Sequence, residues 1–465
     1  MTTTAKLLPR VAIAIAISFP TLPSTSLASG YYVTGVGVRG MGRAAAVAVG
    51  SDDLTAQYYN PAALIRLDKQ LTLQAAGVDH AITFDRTDDG ETFDPVTNSD
   101  PAFIVPSFGI AHSFGRDDLT VAFGLYTPYA PTYKFPAEGA QRFSLVSSEV
   151  IAANIGPSAA FQVSDSLTLG AGVAYSIFQL NQQLVTHVSP LQFPATDDPN
   201  YDTTTTISVA DDFAIAWNLG MLYQAPDSPL TFGLAVVGPT AYDATGSIHA
   251  DFSRNTYYVG DSLMGKLIAN ADATDDDVAI NITLPPIARA GVLYEFEDDL
   301  EVELNVAYQA WSWVGTLMLE GTDLAVQIEG GDEVLIEGDV EFPLELRDAF
   351  SIRLGGEKKL SDRLRIRGGT FFETAAVELD DESVFLPDAM KFGYGLGATI
   401  GVVSDLALDV GWMQAFAPEH EVDSSDSYQI QIDPASGIIA AGKIVGNGTY
   451  ASTWTLFGAG LNWAF

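Results

Sequence analysis

Arginine stands at alternate positions in Arg363, Arg365 and Arg367, and Arg353 precedes them in a similar alternating run. Residues two apart on an extended strand share a face, so these guanidiniums would form a row. Such a row can grip a carboxylate through paired, charge-assisted hydrogen bonds. It can equally be neutralised by the protein's own acids, and Glu301 and Glu303 supply a matching row. Two readings therefore stand: a site for an anionic ligand, or a Glu–Arg ladder that satisfies itself and engages Asp52 or Asp53. Catalytic patterns are missing: there is no Gly-x-Ser-x-Gly elbow, no His-Glu-x-x-His and no complete Gly-x-x-x-x-Gly-Lys-Ser/Thr loop. His80, His112, His187, His249 and His420 lack metal-ligand spacing. His80 or His112 would need a serine partner for lipase chemistry, and neither has an evident one. No catalytic residue, cofactor or metal site is expected.

The elements that position those arginines are strands. In Leu300–Ala310, Val302, Leu304, Val306 and Tyr308 share one face while Glu301, Glu303, Asn305 and Gln309 share the other. Leu364 and Ile366 oppose the arginines, and in Phe392–Ile400 large residues alternate with Gly393, Gly395 and Gly397. About fourteen such runs follow Lys69, an even number as bacterial single-chain barrels have. Their connections sort by parity. Turns at 115–118, 164–166, 225–228, 297–299, 357–362 and 403–405 are short. Loops at 85–103, 128–140, 187–203, 243–275, 321–334, 378–389 and 417–452 are long and polar. Short turns at one end and long loops at the other predict an all-β, transmembrane antiparallel barrel over 69–465. Tyr223, Tyr294, Trp311, Trp313, Phe350 and Trp412 would form interfacial girdles.

Composition agrees. Charged residues are 17%, against about 25% for soluble domains, while hydrophobic residues reach 47% with a mean hydropathy of +0.17. No stretch is long enough for a transmembrane helix. A net charge of −37 excludes nucleic acid, which needs a basic footprint. At the front, Lys6 and Arg10 precede the apolar Val11–Phe19, then Pro20, Pro23 and small residues. That is a secretory signal, 1–28, with cleavage expected after Ala28. Phe457, Ala459, Leu461, Trp463 and Phe465 alternate to the C-terminal Phe465, the kind of ending that the barrel-assembly machinery reads.

Residues 29–68 do not read as strands. A Gly-rich stretch leads into Arg43 and a small-residue run; Ser51 is placed to cap a helix over Leu54–Tyr59, and Pro61 to stop it. The segment is expected to be a plug in the lumen, the other reading being a periplasmic tail. Inward-facing Gly393, Gly395 and Gly397 would leave it room.

The run GVGVRGMGRAAAVAVGSDDLTAQYYNPAAL resembles the N-terminal hatch of the FadL family of outer-membrane transporters, through Gly40, Gly42, Arg43, Ala44, Asp52, Asp53, Asn60, Pro61 and Ala62. The blocks Leu284–Ser312 and Phe350–Glu373 add to the resemblance, which spans essentially the whole chain after the signal. It implies a multi-pass protein of the bacterial outer membrane that passes long-chain fatty acids or similar hydrophobic compounds and acts as a monomer among membrane lipids. It also implies a hatch of gating residues and a sideways gap in the third strand. Pro128 and Pro131 fall there; they mark either that gap or a proline-broken outer loop. Asn60, Pro61 and Ala62 would latch hatch to wall, where a plain helix stop needs only Pro61. Arg43 is expected to anchor the hatch to the wall. An aromatic-hydrocarbon channel of the same family, a general porin and an adhesive barrel are the rival readings.

Overall fold

The computed structural model describes residues 35–465 apart from 89, 101, 252–255, 260–261, 267–269, 273–277, 316, 321–323, 328–332, 337–339, 343–345, 379 and 381. The expected signal, 1–28, and residues 29–34 of the expected plug lie outside the described residues.

Fourteen strands form a closed antiparallel barrel. They are β1 (Lys69–Asp88), β2 (Phe103–His112), β3 (Leu119–Tyr129), β4 (Ser147–Ser164), β5 (Leu167–Val188) and β6 (Asp202–Gln224). Then come β7 (Leu230–Val237, resumed as Thr240–Asp251) and β8 (Val278–Leu284, resumed as Ile287–Phe296). The rest are β9 (Leu300–Gln309), β10 (Ala349–Ser361), β11 (Leu364–Glu373), β12 (Lys391–Gly401), β13 (Leu406–Val422) and β14 (Gly448–Ala464). Each strand pairs with the next, and pairs from Gln70↔Ala464 to Arg86↔Gly448 close β1 on β14. Closure leaves the ladder interrupted beyond Phe108↔Leu125 between β2 and β3, in a sheet that lipid otherwise requires to be paired throughout.

Alternation does the sorting. On β12, Phe392, Tyr394, Leu396 and Ile400 point outward and are 42–57% exposed, while Gly393 and Gly395 are buried. On β9, Leu304 and Val306 point out, and Glu303 and Asn305 are buried within. Apolar outside and charged inside is the arrangement that lipid selects. The short turns use the left-handed backbone at Asp227 (φ 53°) and Asp299 (φ 56°), which Asp tolerates. β7 breaks at Gly238–Pro239 and β8 at Pro285–Pro286, where the prolines have no amide to give the ladder.

The structure departs from the sequence reading at the long-loop end. β7 runs to Asp251 and β13 to Val422, into stretches expected to be loop. On β7 the outward Asp243, Thr245 and His249 are polar there, so the lipid-facing stripe that marks a strand is lost although Tyr242, Ala244 and Ile248 stay buried inward. Trp311 is turned inward and buried, so it belongs to no girdle; Trp313 is exposed.

Residues before β1 form α1 (Val38–Gly42), α2 (Ala56–Tyr59) and a 3-10 turn, Pro61–Arg66. They lie against inward faces of the wall, toward the short-turn end. Ser51 does not cap α2, which begins only at Ala56; Asp53 Oδ1 instead accepts the Thr55 amide at 3.0 Å. Asn60 is extended, as a residue before proline should be, and caps the 3-10 turn by accepting from the Ala62 amide at 3.1 Å.

Where this segment meets the wall, the wall is glycine. A Cβ on Gly397 would stand 2.9 Å from Gly42 Cα, one on Gly220 2.9 Å from Pro61 Cδ, and one on Gly291 2.9 Å from Val49 Cγ2. Gly395 similarly faces the backbone of Met41 and Ala44. Gly393 differs from expectation: a Cβ there would meet the Phe371 ring and the Gln414 carbonyl, both part of the wall.

Candidate functional site

The segment is bolted to β9 by one carboxylate. Glu303 is fully buried and accepts from the Val49 amide at 2.7 Å, the Gly50 amide at 2.8 Å, Arg43 Nη2 at 3.0 Å and Asn305 Nδ2 at 2.7 Å. Arg43 Nη1 also donates to Glu301, and the Ala48 amide to Asn305 Oδ1 at 3.0 Å. One buried guanidinium faces two carboxylates, and the amide donors to Glu303 help to hold the extra negative charge that low dielectric disfavours.

A second network lies lower. Arg39 pairs with Asp52 at 2.8 Å and with Asp409 of β13 at 2.7 Å. Arg365 and Arg367 converge on Glu357 of β10, at 2.8 and 2.6 Å, and Arg365 reaches Asp52 at 3.7 Å. Burial opposes the charge of Asp52, but Arg39 and the β11 arginines outweigh it and hold the carboxyl below the usual carboxylate range. For Asp53 burial prevails and pushes the carboxyl up. Arg363 sits in the turn, its carbonyl accepting from the Gly401 amide, outside this network.

Asn60 ties the far end. Its Nδ2 donates to the Ala48 carbonyl at 2.7 Å and to the Met221 carbonyl of β6 at 3.3 Å. Gln57 Nε2 donates to Ser158 Oγ of β4 at 3.1 Å, and Asn218 Nδ2 donates to the Gln57 carbonyl. Pro61 and Ala62 lie beside Gly170 and Gly220, and Gly40 beside the Tyr59 hydroxyl.

Above the segment apolar side chains form a cluster among buried polar ones such as Ser176, Gln182 and Thr205. One continuous cluster joins Val188 and Ile432 at the long-loop end to Phe178, Ile207, Val209 and Ile280 on the wall and to Tyr58, Tyr59 and Ala45 of the segment. At its foot lies a small recess lined by Ala45, Tyr59, Ile287, Arg289, Gln309 and Arg353, among others. Arg353 is held by Glu373, which also pairs with Lys391 at 3.2 Å, and its Nη1 donates to the Ala44 carbonyl at 3.2 Å. Arg289 lies 4.5 Å over the Tyr58 ring, and its Nη1 donates to the Tyr58 carbonyl at 3.4 Å.

A second small recess is lined by Leu54, Gln57, Ser107, Phe108, Leu125 and Tyr126, among others. It lies where the β2–β3 ladder stops. That ladder runs from His112↔Val121 to Phe108↔Leu125, while β2 continues along β1 to Phe103. On the other side β3 slips register against β4 between Tyr126 and Tyr129. Pro128 lies inside that slip, and the Pro131 carbonyl accepts the Val150 amide at 3.0 Å.

The long-loop end is covered. The hairpin of Tyr428–Ile432 and Ile439–Ile444 lies in parallel on the end of β5, Gln431↔His187 and Ile432↔Val188. Gln431 Nε2 donates to Ser189 Oγ at 2.8 Å and to the Phe193 carbonyl at 3.1 Å. Asp197 joins Arg86 and Lys443, each at 2.7 Å. Burial works against its charge, but the hydrogen bonds from Lys443 and Arg86 keep that carboxyl low.

Of the β11 arginines, Arg365 thus reaches Asp52 of the N-terminal segment and Arg367 joins Glu357 and Asp409; Arg353 stands apart beside the upper recess, and Arg363 joins neither. Sequence reasoning missed Arg289, Asp409 and the Glu373–Lys391 pair. The signal for Arg289 was a lone charge in the apolar run that follows Pro285–Pro286.

A model of the family described as "Outer membrane protein transport protein (OMPP1/FadL/TodX)" matches residues 21–465. Outer membrane protein P1 of Haemophilus influenzae is 25% identical over 314 residues, 63% of this chain. The match spans only 61% of the P1 protein's own length. The long-chain fatty acid transport protein of Salmonella typhi is 22% identical over 413 residues, 86% of this chain and 90% of that protein. Among solved structures, a Pseudomonas aeruginosa FadL homologue superposes with a TM-score of 0.72 at 17% identity, covering 94% of this chain and all of that one. The Pseudomonas putida toluene transporter TodX has a TM-score of 0.60 at 14% identity, covering 95% and 96%.

Proposed function

The chain belongs to the OMPP1/FadL/TodX family of outer-membrane transport proteins, and from that premise we propose that it passes long-chain fatty acids through the outer membrane. The observation that carries this reading is the apolar cluster from Val188 and Ile432 down to Tyr59 and Ala45. A porin lines its lumen with polar groups to hold water; this wall instead favours an alkyl chain, by about 0.8 kcal/mol per methylene buried. Multiple weak sites rather than one tight one would let the solute leave.

Arg353 and Arg289 at the foot of that path favour a carboxylate over an aromatic hydrocarbon, the alternative within the family. The anchored plug argues against a general porin. In this reading residues 29–68 are a hatch, latched by Asn60, Pro61 and Ala62 and anchored by Arg43, and the stopped β2–β3 ladder is a sideways exit. The protein acts as a monomer whose C-terminal Phe465 is read by the assembly machinery.

The test is oleate binding to the purified full chain, with Val209→Asp and Ile280→Asp as variants whose assembly is checked by heat-modifiable migration. A buried charge in the lining is expected to weaken binding by about tenfold or more, which is about 1.4 kcal/mol. Equal binding by wild type and variants would show that this wall is not the path.

A further inference from the structure

At the long-loop end a histidine meets a buried carboxylate. His420, near the end of β13, places Nε2 2.6 Å from Oε2 of Glu382, which belongs to the connection between β11 and β12. Its Nδ1 lies 3.0 Å from the Pro418 carbonyl. A carbonyl only accepts, so Nδ1 carries a hydrogen. Nε2 and the carboxylate must then share one more proton, whichever of the two holds it, because a bare ring nitrogen against a carboxylate sets lone pair against lone pair. The Glu382 side chain is 5% exposed, and among the described residues His420 is the group that bonds it.

The pair holds down a cap. Val384 and Phe385, just past Glu382, pack with Phe84 of β1, Tyr133 of the β3–β4 connection, Val422 of β13 and Tyr450 of β14. The two ends of this span are tied separately. Asp380 accepts Ser424 Oγ at 2.8 Å, and its carbonyl accepts the Asp426 amide at 2.7 Å. Asp388 accepts the Ala376 amide at 3.1 Å and pairs with Lys391 at 3.3 Å.

We propose that His420 and Glu382 form a proton-binding site that docks residues 382–386 in the outer mouth, which is capped while the pair holds its proton and opens when the proton leaves. Nothing in this depends on which hydrophobic compound passes. Release sends the proton to bulk water, leaves the imidazole neutral with Nδ1–H still on Pro418, and leaves Glu382 a buried carboxylate without a donor. Such a charge is costly to keep from water, and lifting the span between its tied ends returns it there. Burial opposes the imidazolium, but Glu382 outweighs it and holds His420 above its ordinary range; burial pushes the Glu382 carboxyl up as well. Both shifts mean that the docked form holds the proton more tightly. Docking is therefore fully supported below the ordinary histidine value of about 6.5 and is lost as pH rises through the raised one. The surrounding charges are engaged elsewhere. Glu419, Glu421 and Asp423 are exposed to water. Arg86 pairs with Asp197, and Lys391 with Glu373 and Asp388. The Tyr450 ring lies 6.0 Å from the imidazole, but its hydroxyl donates to the Gly446 carbonyl at 2.7 Å.

The chain has no cysteine, so Val384→Cys reports the cap through its labelling by a charged maleimide on the purified full chain. Ile438→Cys, at an exposed position of the outer hairpin, corrects for thiol ionisation as pH changes. With the pair intact, the ratio of the two rates is expected to rise about tenfold or more from about pH 6 to about pH 9. Glu382→Gln, whose amide donates to a neutral imidazole at any pH, should keep the ratio low throughout. His420→Phe, which leaves the carboxylate without a donor, should raise it already at about pH 6. Heat-modifiable migration confirms assembly of each variant. A ratio that stays flat with pH when the pair is intact, or the same rise in Glu382→Gln, would overturn the proposal.

Discussion

Glu303→Ala is expected to unseat residues 43–50 and turn a closed barrel into a leaking one. The wild-type carboxylate satisfies two hatch amides, one face of the Arg43 guanidinium and Asn305 at once. Its loss leaves the Val49 and Gly50 amides without an acceptor and Arg43 with Glu301 as its one remaining carboxylate. Breaking one side of a buried pair typically costs about 3–5 kcal/mol, and each orphaned amide adds about 1–3 kcal/mol. The barrel ladder does not depend on these bonds, so the loss should fall on the hatch. Conductance across a planar bilayer measures it: steady current through Glu303→Ala, little through wild type. Glu301→Ala is the graded comparison, since Glu301 is 22% exposed and touches only Arg43 of the hatch. Currents from Glu303→Ala as small as wild type would mean that the hatch is held elsewhere.

Gly395→Val should expel α1 by steric force alone. A Cβ at Gly395 would run into the Met41 carbonyl and stand 2.9 Å from the Ala44 amide nitrogen, and both are backbone that cannot rotate away. Gly368 lies on the neighbouring strand, paired with Leu396, and a Cβ there meets nothing nearer than Leu396 Cδ2 at 3.9 Å. Gly368→Val is therefore the control for a bulkier side chain on the same part of the sheet. The expected result is fast proteolysis of residues 36–60 and raised conductance in Gly395→Val, with Gly368→Val like wild type. Equal protection in both variants would place the close fit somewhere other than this glycine.

Much of the barrel was legible because lipid enforces a period of two. Leu304 and Val306 against Glu303 and Asn305, or Phe392 and Leu396 against Gly393 and Gly395, state in sequence which face meets which solvent. The same rule failed beyond the lipid, where β7 runs on to Asp251 and β13 to Val422: on β7 Tyr242, Ala244 and Ile248 are buried inward, but the outward Asp243, Thr245 and His249 are polar and leave no lipid-facing stripe to announce the strand. The segment before β1 was visible as one that is not strand, and Asn60-Pro61 as a backbone stop. Its anchors were harder. Glu303 and Arg43 are far apart in the chain, and only barrel closure brings β9 against the turn at Ala48–Gly50. Local spacing also misplaced the helix cap: α2 begins only at Ala56, too far on for Ser51 to reach, and no side chain caps it; the Ala56 amide is taken by the Asp53 carbonyl. Arg363, Arg365 and Arg367 share a face in sequence, yet only the last two reach Glu357, because Arg363 already lies in the turn. Arg289 was hidden by its neighbours, a single charge whose meaning depends on the Tyr58 carbonyl and the recess beside it.

The central claim is a hatch-gated path for a hydrophobic acid, and labelled oleate uptake tests it most directly. The cells should lack their own transporter and carry wild type or the Asn60→Ala, Pro61→Ala variant at equal surface levels. Uptake by wild type and a marked change in the variant, which loses the bonds to Ala48 and Met221, is the predicted result. No uptake by correctly assembled wild type would contradict the fatty-acid path; identical uptake by both would contradict the latch.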